Sequence, residues 1–337
     1  MAHLVKNLKV MLLNAENLFL LSDSKLTPEH LKLDESSWQK LSTSVYENKS
    51  LYKLNELSKI IRQIDPDILM LAEVGGLESL NNFNRLFLNE TYSPALTEGN
   101  SDRHIDIGYF IRKEIGFYFD LVSNKNRPLN FWYAHEQSND PNHEKKPSQK
   151  FSRDVAELHL FTRDREKPFL IFMMAHLKSR LDHDNIDANG FARRQAELNT
   201  YLEIYQELEA RYQYKIPIIV AGDFNGNASH RQTDPEFKSL YEKTSLKDVC
   251  ELAGLDEEKS ATYYQVGRNS RTEGRQIDYA FLNPVSQNLL DQKSVHIFRY
   301  QDPRGLPLDP PATLDAKLQL PSDHYPLVFE LVQVPVF

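Results

Sequence analysis

The chain is short of cysteine, of positive charge and of long apolar runs. Its 337 residues include one cysteine, Cys250. A lone cysteine excludes an internal disulfide and a cysteine-based metal cluster. No apolar run approaches the roughly 20 residues a helix needs to cross a bilayer. Lysines break the first residues, Met1 to Lys9, and no small-residue cleavage site follows. A secretory signal is therefore not expected, and a reducing cytoplasm is the expected location. Lys and Arg number 40 against 48 Asp and Glu, a formal net charge of −8. Proteins that grip many phosphates usually present a basic surface, so this balance argues against a long, tight hold on nucleic acid and leaves only local patches open.

One such patch is the stretch from Lys125 to Arg153. It holds Lys125, Arg127, Lys145, Lys146, Lys150 and Arg153 beside Phe131-Trp132-Tyr133, diluted by Glu136, Asp140 and Glu144. It reads either as a surface for a nucleic acid or as a solvated loop. The 40% hydrophobic and 26% charged fractions are those of a globular chain with a sizeable core.

Apolar runs set the expected architecture. Lys9–Asn14 and Asp67–Ala72 read as strands covered on both faces. Further strand candidates are 105–112, 116–122, 155–162, 168–175, 216–221, 277–282, 294–299 and 325–332. Leu51, Leu54, Leu57, Ile60, Ile61 and Ile64 fall at helical spacing, and Asp65-Pro66 stops that helix. A second helix is expected over 190–213. Residues 20–50 are polar and read as an insertion or lid, and 123–150 and 300–321 as proline-bearing loops. No composition break divides the chain and no fixed-period repeat is seen, so residues 1–337 are expected to form one domain. Many strands with a few long helices predict an α/β or α+β fold of stacked sheets.

Polar signatures close most of the apolar runs. They are Asn14 with Glu16-Asn17, Glu73, His176-Leu177-Lys178-Ser179, Gly222-Asp223-Phe224-Asn225, Gln276-Ile277-Asp278-Tyr279 and Ser322-Asp323-His324. A carboxylate at the mouth of a buried strand, as at Glu73, is costly unless it is solvated, paired or metal-bound. Hard oxygen donors favour Mg²⁺ or Mn²⁺. Asp223 and Asn225, two apart, would face one pocket if the chain stays extended, and Gly222 permits close backbone approach. Asp278, an acid in an apolar strand, needs a partner, and His324 is the obvious one. An acid bonded to one ring nitrogen fixes the tautomer and raises the basicity of the other. Each signature alone has a plainer reading: a turn-forming Asn14, a strand-end Glu73, a structural His176, or a surface ion pair between Arg153 and Asp154.

Taken in order, the signatures resemble the endonuclease/exonuclease/phosphatase superfamily, from about Asn14 to Leu331. The resemblance implies a four-layer α/β/β/α sandwich of two packed, largely antiparallel sheets, with the site at one end. It implies metal-dependent phosphoester hydrolysis with Mg²⁺ or Mn²⁺ on Glu73, supported by Asp323 and Asn14. His324, held by Asp278, would activate water, with Asp223 as the alternative base. Asn14, Asn225, His176 and Arg153 would contact the phosphate. His-Leu-Lys-Ser at 176–179 resembles the deoxyribonuclease-like bacterial members and points to nucleic acid as substrate. A small nucleotide, sugar or lipid phosphoester is the alternative. A non-catalytic binding module is a third reading, and it fits poorly because the metal and base residues are all retained. The Trp before Gly-Asp-x-Asn that marks inositol-phosphate phosphatases is Ala221 here. Neither an export signal nor the membrane-facing apolar hairpin of a secreted sphingomyelinase is evident. A phosphate-side tyrosine like that of apurinic endonucleases would fall at Tyr109.

Overall fold

The computed structural model describes residues 4–136, 147–162, 167–182, 185–267 and 271–336. Among them run fourteen strands: β1 (Leu4–Leu18), β2 (Ile68–Val74), β3 (Tyr92–Leu96), β4 (Asp106–Arg112), β5 (Tyr118–Ser123), β6 (Val155–Phe161), β7 (Leu170–His176), β8 (Ile218–Asp223), β9 (Lys247–Asp248), β10 (Tyr263–Val266), β11 (Thr272–Arg275), β12 (Asp278–Leu282), β13 (Leu290–Ile297) and β14 (Leu327–Val336). Two six-stranded sheets have the orders β13-β14-β1-β2-β4-β3 and β5-β6-β7-β8-β12-β9, and β10-β11 is a separate hairpin. Each large sheet is antiparallel except for one central parallel pair, β1–β2 in the first and β7–β8 in the second. Strand β14 returns to pair with β1.

The period of two predicted from the apolar runs is visible in the packing. On β7, Leu170, Phe172 and Met174 join the core between the sheets. Ile171, Met173 and Ala175 face the other way, against Leu198, Tyr201, Leu202, Tyr205 and Leu208 of the helix Phe191–Arg211. Helices Leu51–Ile64 and Gly76–Phe87 bury Leu54, Leu57, Ile61, Leu80 and Phe83 in the core that holds the first sheet. The molecule is thus a mixed α/β sandwich of two packed sheets with helices outside, as expected. Ser50 caps Leu51–Ile64 through the Lys53 N–H, and Asp65, left-handed at φ 54°, ends it just before Pro66.

Some of the chain departs from the sequence reading. The helix Gly76–Phe87 was hidden behind Gly75-Gly76, which reads as a turn, although Leu80, Phe83 and Phe87 keep helical spacing. The polar stretch 20–50 is not wholly outside the core. Trp38 is fully buried and its indole N–H donates to the Lys49 carbonyl at 2.9 Å. Among the described residues no helix is long and apolar enough to cross a membrane.

Candidate active site

The parallel pairs decide where the site lies. Parallel neighbours end at the same edge, so the C-terminal ends of β1, β2, β7 and β8 come together. In register, Asn14 sits opposite Ala72, one residue before Glu73, and His176 sits opposite Asp223. Asp278 pairs with Asp223 from the antiparallel side. Gly222 is required here. Its φ is 143°, and a Cβ would lie 1.8 Å from the Ala175 carbonyl oxygen. This close approach sets His176 beside Asp223.

Local backbone then aims the side chains. Glu73 adopts a left-handed φ of 59° at a shift in the β2–β4 register. Such a bulge turns its carboxylate out of the ladder. Glu16, Asn17 and Asn225 are left-handed as well, at φ 48°, 55° and 52°. Four non-glycine residues in this conformation around one cavity represent stored backbone strain of the kind found at functional sites. Asn225 reaches the pocket beside Asp223 by this turn and not by the extended geometry expected from its spacing. Phe224 between them is buried in the opposite core.

These ends open into a trench of about 840 Å³ lined by Glu73, Arg153, His176, Asp223, Asn225, Asp323 and His324. The groups follow one another closely. His176 Nε2 is 3.9 Å from Glu73 Oε1 and 3.6 Å from Asp223 Oδ2. His324 Nε2 is 3.9 Å from Asp223 Oδ2, while its Nδ1 is 2.8 Å from Asp278 Oδ2. Asp223 accepts from Asn14 Nδ2 at 2.9 Å and from the Asn225 N–H at 2.8 Å. The Ser322 hydroxyl donates to the Asn14 carbonyl at 2.7 Å and accepts from the His324 N–H at 3.1 Å, tying the last loop to β1.

Burial shapes the protonation states. It pushes Asp223 up to about 7, with the nearby Asp278 charge adding to the effect and His324 opposing it. Burial also disfavours the His324 imidazolium, but Asp278, by charge and hydrogen bond, together with Asp323 and Asp223, outweighs it and holds His324 well above its ordinary value. His176 lies well below, first through burial and then through Arg153, His324 and Arg103. Asp323 is only partly shielded. Burial would raise it, yet His324 and Lys317 hold it below the usual range.

Other expected residues take less direct places. Asn14 is 1% exposed and stands behind Asp223, with its amide nitrogen on that acid and its oxygen accepting the Glu16 N–H at 2.9 Å. Arg153 is buried in the trench wall and not paired with Asp154. Its Nη1 lies 3.4 Å from the Leu177 carbonyl and its Nε has no partner. Asp154 instead accepts from Ser123 and the Asn124 N–H. Tyr109 is fully buried between the sheets and donates to the Ala156 carbonyl at 2.8 Å, far from a phosphate-side role. Of the basic segment, Arg127 pairs with Glu207 and Lys125 bonds the Glu98 carbonyl. Asp140, Glu144, Lys145 and Lys146 lie outside the described residues. Arg194 is buried against Glu236.

No sequence signal singled out Arg103, Tyr263 or Lys317. Arg103 and Tyr263 line the trench. The Tyr263 ring is 5.2 Å from that of His324, and the Lys317 ammonium lies 3.5 Å from the Tyr263 centroid and 3.3 Å from Asp323 Oδ2. None of the three closes an apolar run, which was the signal that found the others.

Two donor sets could hold a cation. Asp223, Asp278 and His324 offer ligand atoms within 4.8 Å of one another. All three are buried, however, and His324 Nδ1 is already committed to Asp278. Glu73 and Asp323 present carboxylates to the trench with 16% and 26% of their side-chain surface exposed. These two carboxylates are oxygen donors of the kind Mg²⁺ and Mn²⁺ take while keeping several waters, and Asp323 also contacts Lys317.

Known proteins share this family and fold. The model of the Endonuclease/Exonuclease/phosphatase family matches residues 44–324. The fold is similar to the crystal structure of truncated Caenorhabditis elegans TDP2, with TM-score 0.53, 15% identity, and 97% of this chain and 98% of that one covered. The human Nocturnin catalytic domain is similar at TM-score 0.55 and 17% identity, covering 98% and 95%. The Bacteroides thetaiotaomicron mannosyl-6-phosphatase Bt3783 is similar at 0.53 and 17%, covering 96% and 99%. No curated protein matches the chain by sequence.

Proposed function

Because the chain belongs to the endonuclease/exonuclease/phosphatase family of phosphoester hydrolases, we propose that it hydrolyses phosphodiesters with a divalent metal, using His324 to take the proton of the attacking water. The observation that carries this reading is the 2.8 Å contact between His324 Nδ1 and Asp278, which leaves Nε2 in the trench across from Glu73. Asp278 fixes the tautomer and stabilises the imidazolium that forms. Asp223, bonded by Asn14 and the Asn225 N–H, orients the water and the neighbouring imidazoles. This makes Asn14 a positioning residue and leaves the metal to Glu73 and Asp323. A bound Mg²⁺ or Mn²⁺ would withdraw charge from the phosphoryl oxygens and stabilise the leaving oxygen. His176, Asn225 and Arg153 are suited to the non-bridging oxygens, where preorganised donors act on developing charge. We read residues 1–337 as one domain, since β14 closes the first sheet onto β1.

For substrate, a nucleic acid strand is the first choice. The trench lining extends beyond the catalytic groups to Arg180, Arg231, Glu257 and Glu273. A TDP2 from D. rerio of similar fold, at TM-score 0.57 and 15% identity, was crystallised with a single strand DNA product. A small phosphoester is the second reading, favoured by one observation. Arg180 and Arg275 in the trench are neutralised by Asp234 and Glu273, so part of its basic lining is taken up by acids. The deciding experiment is nicking of supercoiled plasmid with Mg²⁺ or Mn²⁺, alongside hydrolysis of bis(p-nitrophenyl) phosphate, with EDTA and His324→Ala as controls. Nicking that both controls abolish supports the nuclease. Hydrolysis of the small diester alone moves the assignment to small substrates, and loss of neither activity in His324→Ala removes His324 as the base.

A further inference from the structure

Two arginines beside the catalytic groups, Arg103 and Arg153, form no ion pair among the described residues, in contrast to Arg180 and Arg275. Arg153 is buried in the trench wall, on the side that the proposed function gives to the non-bridging oxygens. Arg103 is exposed on the loop before β4 and lines the same trench. It has a fixed position relative to the metal-side acid. Its Nη2 donates to Asn17 Oδ1 at 3.0 Å, and the Asn17 N–H donates to Glu73 Oε2 at 3.1 Å. One N–H of five is used, and the rest of the planar fork is free for an oxyanion. Its charge also reaches both His176 and Arg153.

The order of groups gives Arg103 a direction. From His324 the cluster runs through Asp223 and His176 to Glu73, in steps of 3.9, 3.6 and 3.9 Å, and then through Asn17 to Arg103. In an in-line displacement the leaving group departs opposite the attacking water. With the base at the His324 end, the leaving group departs toward Glu73 and Arg103. An unpaired guanidinium there, beyond the scissile phosphate, matches a second anion, and bidentate phosphate contacts are the strongest use of that fork.

We propose that Arg103 binds a second phosphoryl group carried on the leaving half of the substrate, so that the enzyme prefers phosphodiesters whose leaving group is itself phosphorylated. This inference rests on the proposed direction of hydrolysis. The second phosphate could belong to the next nucleotide of a strand or to a small doubly phosphorylated molecule, and the arms of the test separate these sources.

Calorimetry with Mg²⁺ present would compare thymidine 3′,5′-bisphosphate with thymidine 5′-monophosphate, and inorganic pyrophosphate with inorganic phosphate. The wild type is expected to favour the ligand with two phosphoryl groups by at least about ten-fold, Arg103→Ala to lose most of that advantage, and Arg103→Lys to keep part of it. An advantage in the nucleoside pair alone identifies a second phosphate spaced by a nucleoside, an advantage in both pairs identifies any diphosphorylated leaving group, and a further gain for a longer 5′,3′-phosphorylated oligonucleotide identifies a strand. No advantage in the wild type, or an equal one in Arg103→Ala, overturns the proposal. In turnover, Arg103→Ala should lose about ten-fold more on whichever of the 5′- and 3′-phosphorylated dinucleotides carries its terminal phosphate on the leaving half than on bis(p-nitrophenyl) phosphate. If the wild type cleaves neither diester, the hydrolytic reading fails, while the binding comparison still decides the role of Arg103.

Discussion

The site contains two kinds of acid. Glu73 and Asp323 face water, with 16% and 26% of their side-chain surface exposed, whereas Asp223 and Asp278 are dry at 1% each. The difference separates two tasks. A small hard cation that keeps its waters needs carboxylates at a wet surface. An acid meant to shift the proton affinity of an imidazole acts best where water cannot screen it. The wet acids sit where the backbone turns out of the ladder, as at Glu73. The dry ones sit within the ladders of β8 and β12, opposite each other. Dryness alone does not mark the site. Asp154 lies outside the trench, yet burial pushes it up to about 7 as well, so perturbed acidity points to function only together with convergent partners.

Breaking the dry side should have the largest effect. His324→Ala is expected to lower turnover by about 10³–10⁴-fold while keeping the fold and the metal, read by steady-state kinetics and by metal titration. Retention of more than a tenth of the activity would remove His324 as base. On the wet side, Glu73→Gln is expected to weaken Mg²⁺ or Mn²⁺ binding by at least about ten-fold and turnover by about 10²-fold or more. If metal affinity survives in Glu73→Gln and vanishes in Asp278→Asn, the two sets of acids have been assigned the wrong way round.

Asp278→Asn sharpens the contrast from within the dry pair. Its carboxylate favours the His324 imidazolium, so its removal lowers the pKa of the base. The acid limb of the pH–rate profile should then move to lower pH, with turnover down by about 10²-fold. An unmoved limb would show that the pair does not act as a unit. The smallest effect is outside the site. Between about pH 4 and about pH 7 the unfolded chain has released the Asp154 proton and the folded chain retains it, so stability falls as pH rises, by at most ~1.4 kcal/mol per pH unit. Asp154→Asn should flatten that part of the curve in urea titrations and leave turnover intact. A lower stability at pH 8 than the wild type would mean that the bonds from Ser123 and Asn124 matter more than the buried charge.

Much of this was legible in the chain. Apolar runs marked ten of the strands, and helical spacing marked Leu51–Ile64 to the residue. The strand exits carried Glu73, His176 and Asp223, and the start of β12 carried Asp278, because a strand end is where a sequence changes between residues that must be buried and residues that need not be. The helix Gly76–Phe87 was missed because its glycine start looks like a turn, and Trp38 because its neighbours are polar. Asn14 was identified, but its direction was not. The amide turns inward to Asp223, a residue 209 positions away.

The sequence by itself determined the layers, the strand ends and the identity of the chemical groups, since burial periodicity and motif order are local. Only the tertiary structure decided which acids stay wet, that Arg153 faces the trench and not Asp154, and that Arg103 and Tyr263 share the cavity with His324. The physical reason is that pairing and solvation depend on strand order and on the single parallel pair in each sheet. These bring together residues that no local pattern connects.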